Sequence, residues 1–348
     1  MRRLLRTAPV ALLALGVFAP WRLVAQEPLV GRPADPNAGA AIEKQPPPVD
    51  EPHRRRSTIY VANRASADVM IFSRDTAELI ATIPVGRLPS GLAARSDGDR
   101  IYVACAGSHS IQVIDGATRK LLDNVSLVSG SAPTHIILSP DERTFYVAAS
   151  GLDAVYVFDA GSLQQTGETP VGRRPTRLGI SRDGRTLYVL SVQSGRVDIV
   201  DTFSKKVIAS PSVGSQPSDL AVDRVTGTAY VVHSGAPMLH SIAEGEVQAR
   251  EISIEAPAES LAADSSARRL LLASPSSGRI LLLAPATGAS TMTIRVSEVS
   301  RMVIDPEGRN LYALSARKGM MSIINRIVGT VEREVPVGKE PWDLVLIP

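Results

Sequence analysis

Five histidines and one cysteine are spread along 348 residues, and their spacing limits the chemistry this chain can encode. There is no Cys-x-x-Cys-His for a covalent c-type haem, no His-Glu-x-x-His or close histidine pair for a transition metal, and no Asp-rich calcium loop. A Gly-x-Ser-x-Gly elbow, a P-loop and a dinucleotide glycine fingerprint are also missing. No cofactor is expected from these patterns. Cys105 falls inside the apolar run Ile101-Tyr102-Val103-Ala104-Cys105-Ala106 and reads as a buried structural thiol.

What remains is a set of ionisable residues at a common spacing. His135, Arg177, Asp219, Arg301 and Asp343 follow one another at 42, 42, 82 and 42 residues. One reading is a polar-ligand site, with Arg177, Arg301 and His135 gripping an anion that Asp219 and Asp343 orient. The other is pairing between neighbouring repeats, Arg177 with Asp219 and Arg301 with Asp343. Both readings require an element that recurs about every 42 residues.

That element is visible in the apolar runs. Tyr60, Tyr102, Tyr146, Tyr188, Tyr230, Leu271 and Tyr312 hold one shared position, at gaps of 42, 44, 42, 42, 41 and 41 residues. Four short strands per unit fit that period, and the runs lack the 3.6-residue periodicity of helical repeats. In the second unit, strands are expected at Leu92-Ala93-Ala94, Ile101 to Cys105, Ile111 to Asp115 and Leu121 to Leu127. In the fourth they are expected at Leu178-Gly179-Ile180, Leu187 to Leu190, Val197 to Asp201 and Lys206 to Val213. Asp97-Gly98 and Asp183-Gly184 supply hairpin turns that need φ > 0. The strands look apolar on both faces, as sheets sandwiched between sheets must be.

The runs Ile59-Tyr60-Val61-Ala62-Asn63, Ile101-Tyr102-Val103-Ala104, Phe145-Tyr146-Val147-Ala148 and Leu187-Tyr188-Val189 carry a resemblance. So do the endings Pro84-Val85-Gly86, Pro170-Val171-Gly172 and Pro336-Val337-Gly338, each followed by Pro89, Pro175 or Pro341, and the turn Ser181 to Gly184. The chain resembles the YVTN-repeat propellers, which include YncE-like proteins, within the quinoprotein amine dehydrogenase-like propellers. The resemblance implies an all-β, seven-bladed propeller with four antiparallel strands per blade over residues 57–348. It does not imply one function, because that fold hosts several. Among its relatives are lactonases and redox subunits, so lactone hydrolysis with His135 activating water, or a redox-associated role, are the alternatives it brings. Units five and six keep the Tyr-type strand and lose the Pro-Val-Gly ending.

The phase of the repeat predicts how the ring closes. The first unit begins at the Tyr60 strand and lacks its inner strand, and residues 342–347 supply it, removing two exposed edges. One position upstream of the first apolar residue of each inner strand lie Gly91, His135, Arg177, Asp219, Ser260, Arg301 and Asp343, a ring expected at the mouth of the central channel. Loops on the same face are expected to carry Asn63, Arg64, His109, Asp153, Gln193, Arg196, His233, Arg317 and Lys318. His240 is read as a core or inter-blade histidine, and Trp342 as packing under the closing blade.

The N-terminus reads as an export signal over residues 1–25. Arg2, Arg3 and Arg6 precede an apolar stretch from Ala8 to Ala19 that is short for a bilayer span. Cleavage after Ala25 and retention as an anchor both fit, and no Cys is present for a lipoprotein anchor. Residues 26–56 are Pro-rich and read as an extended tether. Residues 1–25 hold four Arg and no acid, which leaves 34 basic against 35 acidic residues in the rest. That balance gives no support for nucleic-acid binding. The expectation is a monomeric periplasmic or extracellular propeller without a membrane span after signal removal, binding a protein or a small polar ligand on the face around its channel.

Overall fold

The computed structural model describes residues 57–296 and 298–347. The expected signal and tether, residues 1–56, lie outside them. The described strands form seven four-stranded antiparallel sheets, and no helix occurs among the described residues. We number the sheets as blades 1 to 7, blade 1 being the one that holds Thr58–Asn63. Blade 2 shows the pattern, with an inner strand Pro89–Ala94, then Arg100–Cys105 and Ser110–Asp115, and an outer strand Lys120–Ser126.

The second strands, rich in Val, Ile and Tyr, are buried along their length apart from the first residue in five of them, and Thr58–Asn63 is buried throughout. β-Branched and aromatic side chains fit a pleated surface covered on both faces. The expectation of two apolar faces fails for outer strands. Lys120–Ser126 is exposed along almost its whole length, because the blades splay at the rim and charged residues protect the free edge. The outer strand of blade 4 also ends earlier than expected, at Ala209. Pro211 cannot donate to the ladder; its carbonyl accepts from Val197 N and only the single bridge Arg196↔Ser212 follows.

Turns follow the repeat, but glycine does not own them. Gly98 and Gly184 have φ of 70° and 75°, and the equivalent turn of blade 3 places Glu142 at 56°.

The apolar side chains sort into seven clusters, one at each junction between blades. Blade 1 meets blade 2 through Tyr60, Ile71, Leu92, Ile101 and Ile347. Blade 7 meets blade 1 through Tyr312, Leu314, Ile59, Val61 and Leu344. The core is therefore a ring of interfaces rather than one centre. Pro341–Ile347 pairs antiparallel with Thr58–Asn63, from Thr58↔Ile347 to Ala62↔Asp343, and completes blade 1 as the phase of the repeat requires.

Five inner strands share a feature that the sequence pattern hid. Each opens with Pro, and the next residue slips out of register as a bulge: Ser90, Thr134, Thr176, Ser218 and Trp342. A bulge bends the strand and re-aims the side chain that follows. That following residue is Gly91, His135, Arg177, Asp219 or Asp343. Blades 6 and 7 begin their inner strands directly at Ser260 and Arg301, without Pro.

Candidate functional site

The ring residues meet at the channel mouth and largely engage one another. Arg177 Nε donates to Asp219 Oδ1 at 2.9 Å, and Arg301 Nε donates to Asp343 Oδ1 at 3.0 Å. A third link joins the pairs: Arg301 Nη1 reaches Asp219 Oδ2 at 3.2 Å. Arg301 thus spans blade 6, whose ring residue is the small, fully buried Ser260.

Acceptor side chains also hold the backbone of the next blade. His135 Nδ1 accepts from Leu178 N at 3.2 Å, Asp219 Oδ2 from Leu261 N at 2.9 Å, and Asp343 Oδ2 from Leu92 N at 2.9 Å. Every blade junction but one is crossed by a ring side chain. The exception, between blades 2 and 3, closes by backbone contact at Gly91, where a Cβ would lie 2.9 Å from His135 Cα.

Electrostatics follow from this geometry. Asp219 and Asp343 are about 1% exposed, so their charges depend on the arginines. Burial works against the charge of Arg301, but Asp219 and Asp343 outweigh it and its pKa rises. Arg177 is shifted down by burial and by Arg301, with Asp219 opposing. Burial, then Arg177 and Arg301, hold His135 well below the ordinary imidazole range. His135 is therefore neutral, with Nδ1 accepting and the proton on Nε2, and it brings no positive charge to an anion. Two arginines face two carboxylates, so the ring is balanced. The terminal nitrogens of Arg177 and Nη2 of Arg301 make no hydrogen bond with the described residues. Arg301, His135 and Asp343 line a channel cavity of about 340 Å³, walled further in by Ile137, Ala221, Ala262 and Val303.

The loop-face residues divide. Arg64 lies over Trp342, 4.1 Å from the ring centroid, and pairs with Glu340 at 3.6 Å. His109 adopts φ 50°, and its Nδ1 accepts from Ala132 N at 3.3 Å. Arg196 Nε lies 2.8 Å from Asp198 Oδ1. Asn63 and His233 are not loop residues: each ends a second strand and is fully buried. They sit there because the strand runs up to the face before turning, so its last side chain still packs inside. Asn63 Nδ2 donates to Asp68 at 2.7 Å.

Asp198 escaped the sequence reading. Fully buried, it accepts from Gly172 N, Ser191 Oγ and Ser210 Oγ at 2.6, 2.7 and 2.7 Å. In blade 2, Gln112 Oε1 takes the equivalent Gly86 N at 2.8 Å. These contacts account for two of the three Pro-Val-Gly endings: a third-strand polar side chain clamps the N–H of Gly86 or Gly172, and a Cβ on Gly172 would lie 2.7 Å from Ser191 Cβ. At Gly338 the equivalent position is Met70, and the glycine is required there by close approach, since a Cβ would run into Asn63 Nδ2.

The expectation of no close histidine pair fails in space. His233 Nε2 lies 3.0 Å from His240 Nδ1, and His233 Nδ1 lies 3.0 Å from Ser215 O. The carbonyl can only accept, so His233 carries its proton on Nδ1 and His240 Nδ1–H donates to His233 Nε2. No group of three metal-ligating side chains occurs among the described residues. Burial lowers both pKa values, His233 adding to the effect on His240 and Glu251 opposing it.

With His135, three imidazoles thus have folded pKa values below the unfolded value of about 6.5. In that window the unfolded chain binds more protons, so stability is full above about pH 6.5 and falls as the pH drops. The slope reaches about 1.4 kcal/mol per pH unit for each histidine. Urea unfolding should show a lower midpoint at pH 5.5 than at pH 7.5, and His240→Gln should flatten the difference. Equal midpoints for the wild-type chain would contradict the assignment.

Neither a family model nor a curated protein sequence matches the chain. Solved structures do. A hydrazine synthase chain from Kuenenia stuttgartiensis is 20% identical with a TM-score of 0.71, covering 78% of this chain and 93% of that one. Dihydro-heme d1 dehydrogenase NirN is 15% identical with a TM-score of 0.63, covering 83% and 75%. A candidate 6-phosphogluconolactonase from Bacteroides uniformis is 14% identical with a TM-score of 0.67, covering 84% and 99%. At these identities the likeness is one of β-propeller fold.

Proposed function

We propose that this chain is an exported, non-catalytic binding propeller of the YVTN-repeat type. It works in the periplasm or outside the cell and presents the face around its channel mouth to an acidic protein or a small polar anion. The observation that carries the reading is what the mouth leaves available. His135 Nδ1 is committed to Leu178 N, so the imidazole has no free lone pair for activating water, and general-base catalysis there would break a blade-to-blade bond. Guanidinium nitrogens of Arg177 and Arg301 remain unshared. Around them Arg87, Arg173 and Lys339 are exposed at the same position of three Pro-Val-Gly connections. Donors without a paired base suit binding rather than turnover.

The neighbours divide among a synthase, a haem-linked dehydrogenase and a candidate lactonase, so fold analogy favours none of these activities. The lactonase alternative is directly testable. Hydrolysis of γ-butyrolactone and δ-valerolactone should stay at background for the wild-type chain and for His135→Ala alike. Turnover that disappears in His135→Ala would overturn the binding reading. In parallel, an envelope partner cross-linked to the wild-type chain should be lost when Arg87, Arg173 and Lys339 are all changed to Glu; retention unchanged would move the site off this face.

A further inference from the structure

The opposite face of the propeller, where the Asp-Gly-type turns lie, repeats one slot at each blade junction. The residue after the third strand of one blade faces the inner turn and the repeat position of the preceding blade, a tyrosine in every blade but the sixth, which has Leu271. Between blades 7 and 1 that residue is Arg74, with a side chain 14% exposed. Its Nη2 donates to Glu307 Oε2 at 2.8 Å; Tyr312 and Asp305 add to its field. Between blades 6 and 7 it is Arg326, which donates to Asp264 of blade 6, while its Nε donates to Gly308 O at 2.7 Å. Twice, then, the chain fills this slot with its own guanidinium.

Between blades 3 and 4 the equivalent residue is Thr202. Its hydroxyl donates to Gly184 O at 2.7 Å, the counterpart of Gly308 O, and the side chain ends there. Beyond it lies a cavity of about 660 Å³ lined by Asp141, Tyr146, Asp183, Asp201 and Phe203, among others. Asp141 stands where Glu307 stands, and Tyr146 where Tyr312 stands. Asp141 Oδ1 accepts from Ser139 Oγ and Arg143 N, and Oδ2 takes no hydrogen bond from the described residues. Phe203, 95% exposed, forms an aromatic shelf at the rim. Arg185 does not fill the gap: its Nε is 3.9 Å from Asp183 and the side chain is 85% exposed.

We infer that the slot between blades 3 and 4 receives the guanidinium of an arginine side chain from a protein partner. The receiving groups are Asp141 Oδ2 and Gly184 O, with Phe203 stacking on the planar cation. Lysine is the poorer occupant, since an ammonium cannot make the planar fork that Arg326 makes at its sister site, where Nε and both terminal nitrogens donate to Gly308 O and Asp264. The site is on the face opposite the channel mouth and stands or falls independently of that reading.

The probe is Nα-acetyl-arginine amide, titrated into the full chain and followed by NMR shifts. Nα-acetyl-citrulline amide, nearly the same shape without the charge, is the control. Saturable shifts around Asp141 and Thr202 are expected, with citrulline at least about tenfold weaker. Asp141→Asn should weaken arginine binding by about the same factor. Thr202→Arg should abolish it while keeping or raising Tm, because the chain then supplies its own guanidinium as it does at Arg74 and Arg326. Equal binding of citrulline, unchanged binding in folded Thr202→Arg, or no saturable shift would each overturn the proposal. Should Thr202→Arg fail to fold, Asp141→Asn carries the decision.

Discussion

Asp219→Ala should cost the propeller about 3–5 kcal/mol of stability, the range for removing one partner of a buried ionic group. At roughly 2–4 °C per kcal/mol for a chain of this size, the melting temperature should fall by roughly 6–20 °C. Asp219 is the hub of the ring. It receives Arg177 Nε, Arg301 Nη1, Leu220 N and Leu261 N while only 1% exposed. Removing it strands Arg177 without a counter-charge and leaves two backbone N–H groups unpaired, each costing about 1–3 kcal/mol. Arg301 retains Asp343, so the damage centres on blades 4, 5 and 6. Asp219→Asn keeps the shape and one acceptor oxygen and should lose less. Arg177→Met should cost markedly less in the Asp219→Ala background than in the wild type, because the stranded charge has gone. An Asp219→Ala variant that melts within a degree or two of the wild type would show that the ring contributes nothing to closure.

Fold and ring were legible in the sequence for the same reason: a 42-residue period places equivalent residues at equivalent radii, so aligning Tyr60 with Tyr312 also aligns His135 with Asp343. The predicted pairs Arg177–Asp219 and Arg301–Asp343 follow from adjacency alone. The reach of Arg301 to Asp219 was not legible, because it skips a blade and depends on Ser260 being small. Nor were the bulges, although Pro before Ser90, Thr134, Thr176, Ser218 and Trp342 was a usable signal: proline interrupts a ladder and marks where register slips. The histidine pair was missed for a geometric reason. In the hairpin Ala229–His233 to Met238–Ile242, Val231 faces His240. His233 is therefore a diagonal neighbour of His240, within reach across strands though seven residues away in sequence. The guanidinium slots appear only when turns of neighbouring blades are compared, since each slot is built by two repeats.

Deleting residues 342–348 should abolish the cooperative thermal transition of the monomer. Pro341–Ile347 alternates its side chains between two cores. Leu344 and Leu346 pack at the junction of blades 7 and 1, and Val345 and Ile347 at that of blades 1 and 2. Leu344 and Ile347 are 3% and 5% exposed, and burying each is worth about 1.5–3 kcal/mol. The deletion also removes Asp343, which frees Arg301 Nε and leaves Leu92 N without its acceptor. The partner strand Thr58–Asn63 keeps its ladder with Asp68–Ser73 but loses the one with Pro341–Ile347, and becomes an exposed, apolar edge open to pairing with other chains. Against a total stability of about 5–15 kcal/mol, these losses leave little margin for a closed ring. Size-exclusion chromatography should therefore show aggregates, and the melting curve should broaden or vanish. Supplying the strand in trans discriminates closure from simple loss of mass. A peptide spanning residues 339–348 should restore a cooperative transition by strand addition, and the same peptide with Asp343→Ala should restore it less well. A deletion variant that stays monomeric and melts at the wild-type temperature would mean that the ring is held by the five untouched interfaces and needs no closing strand.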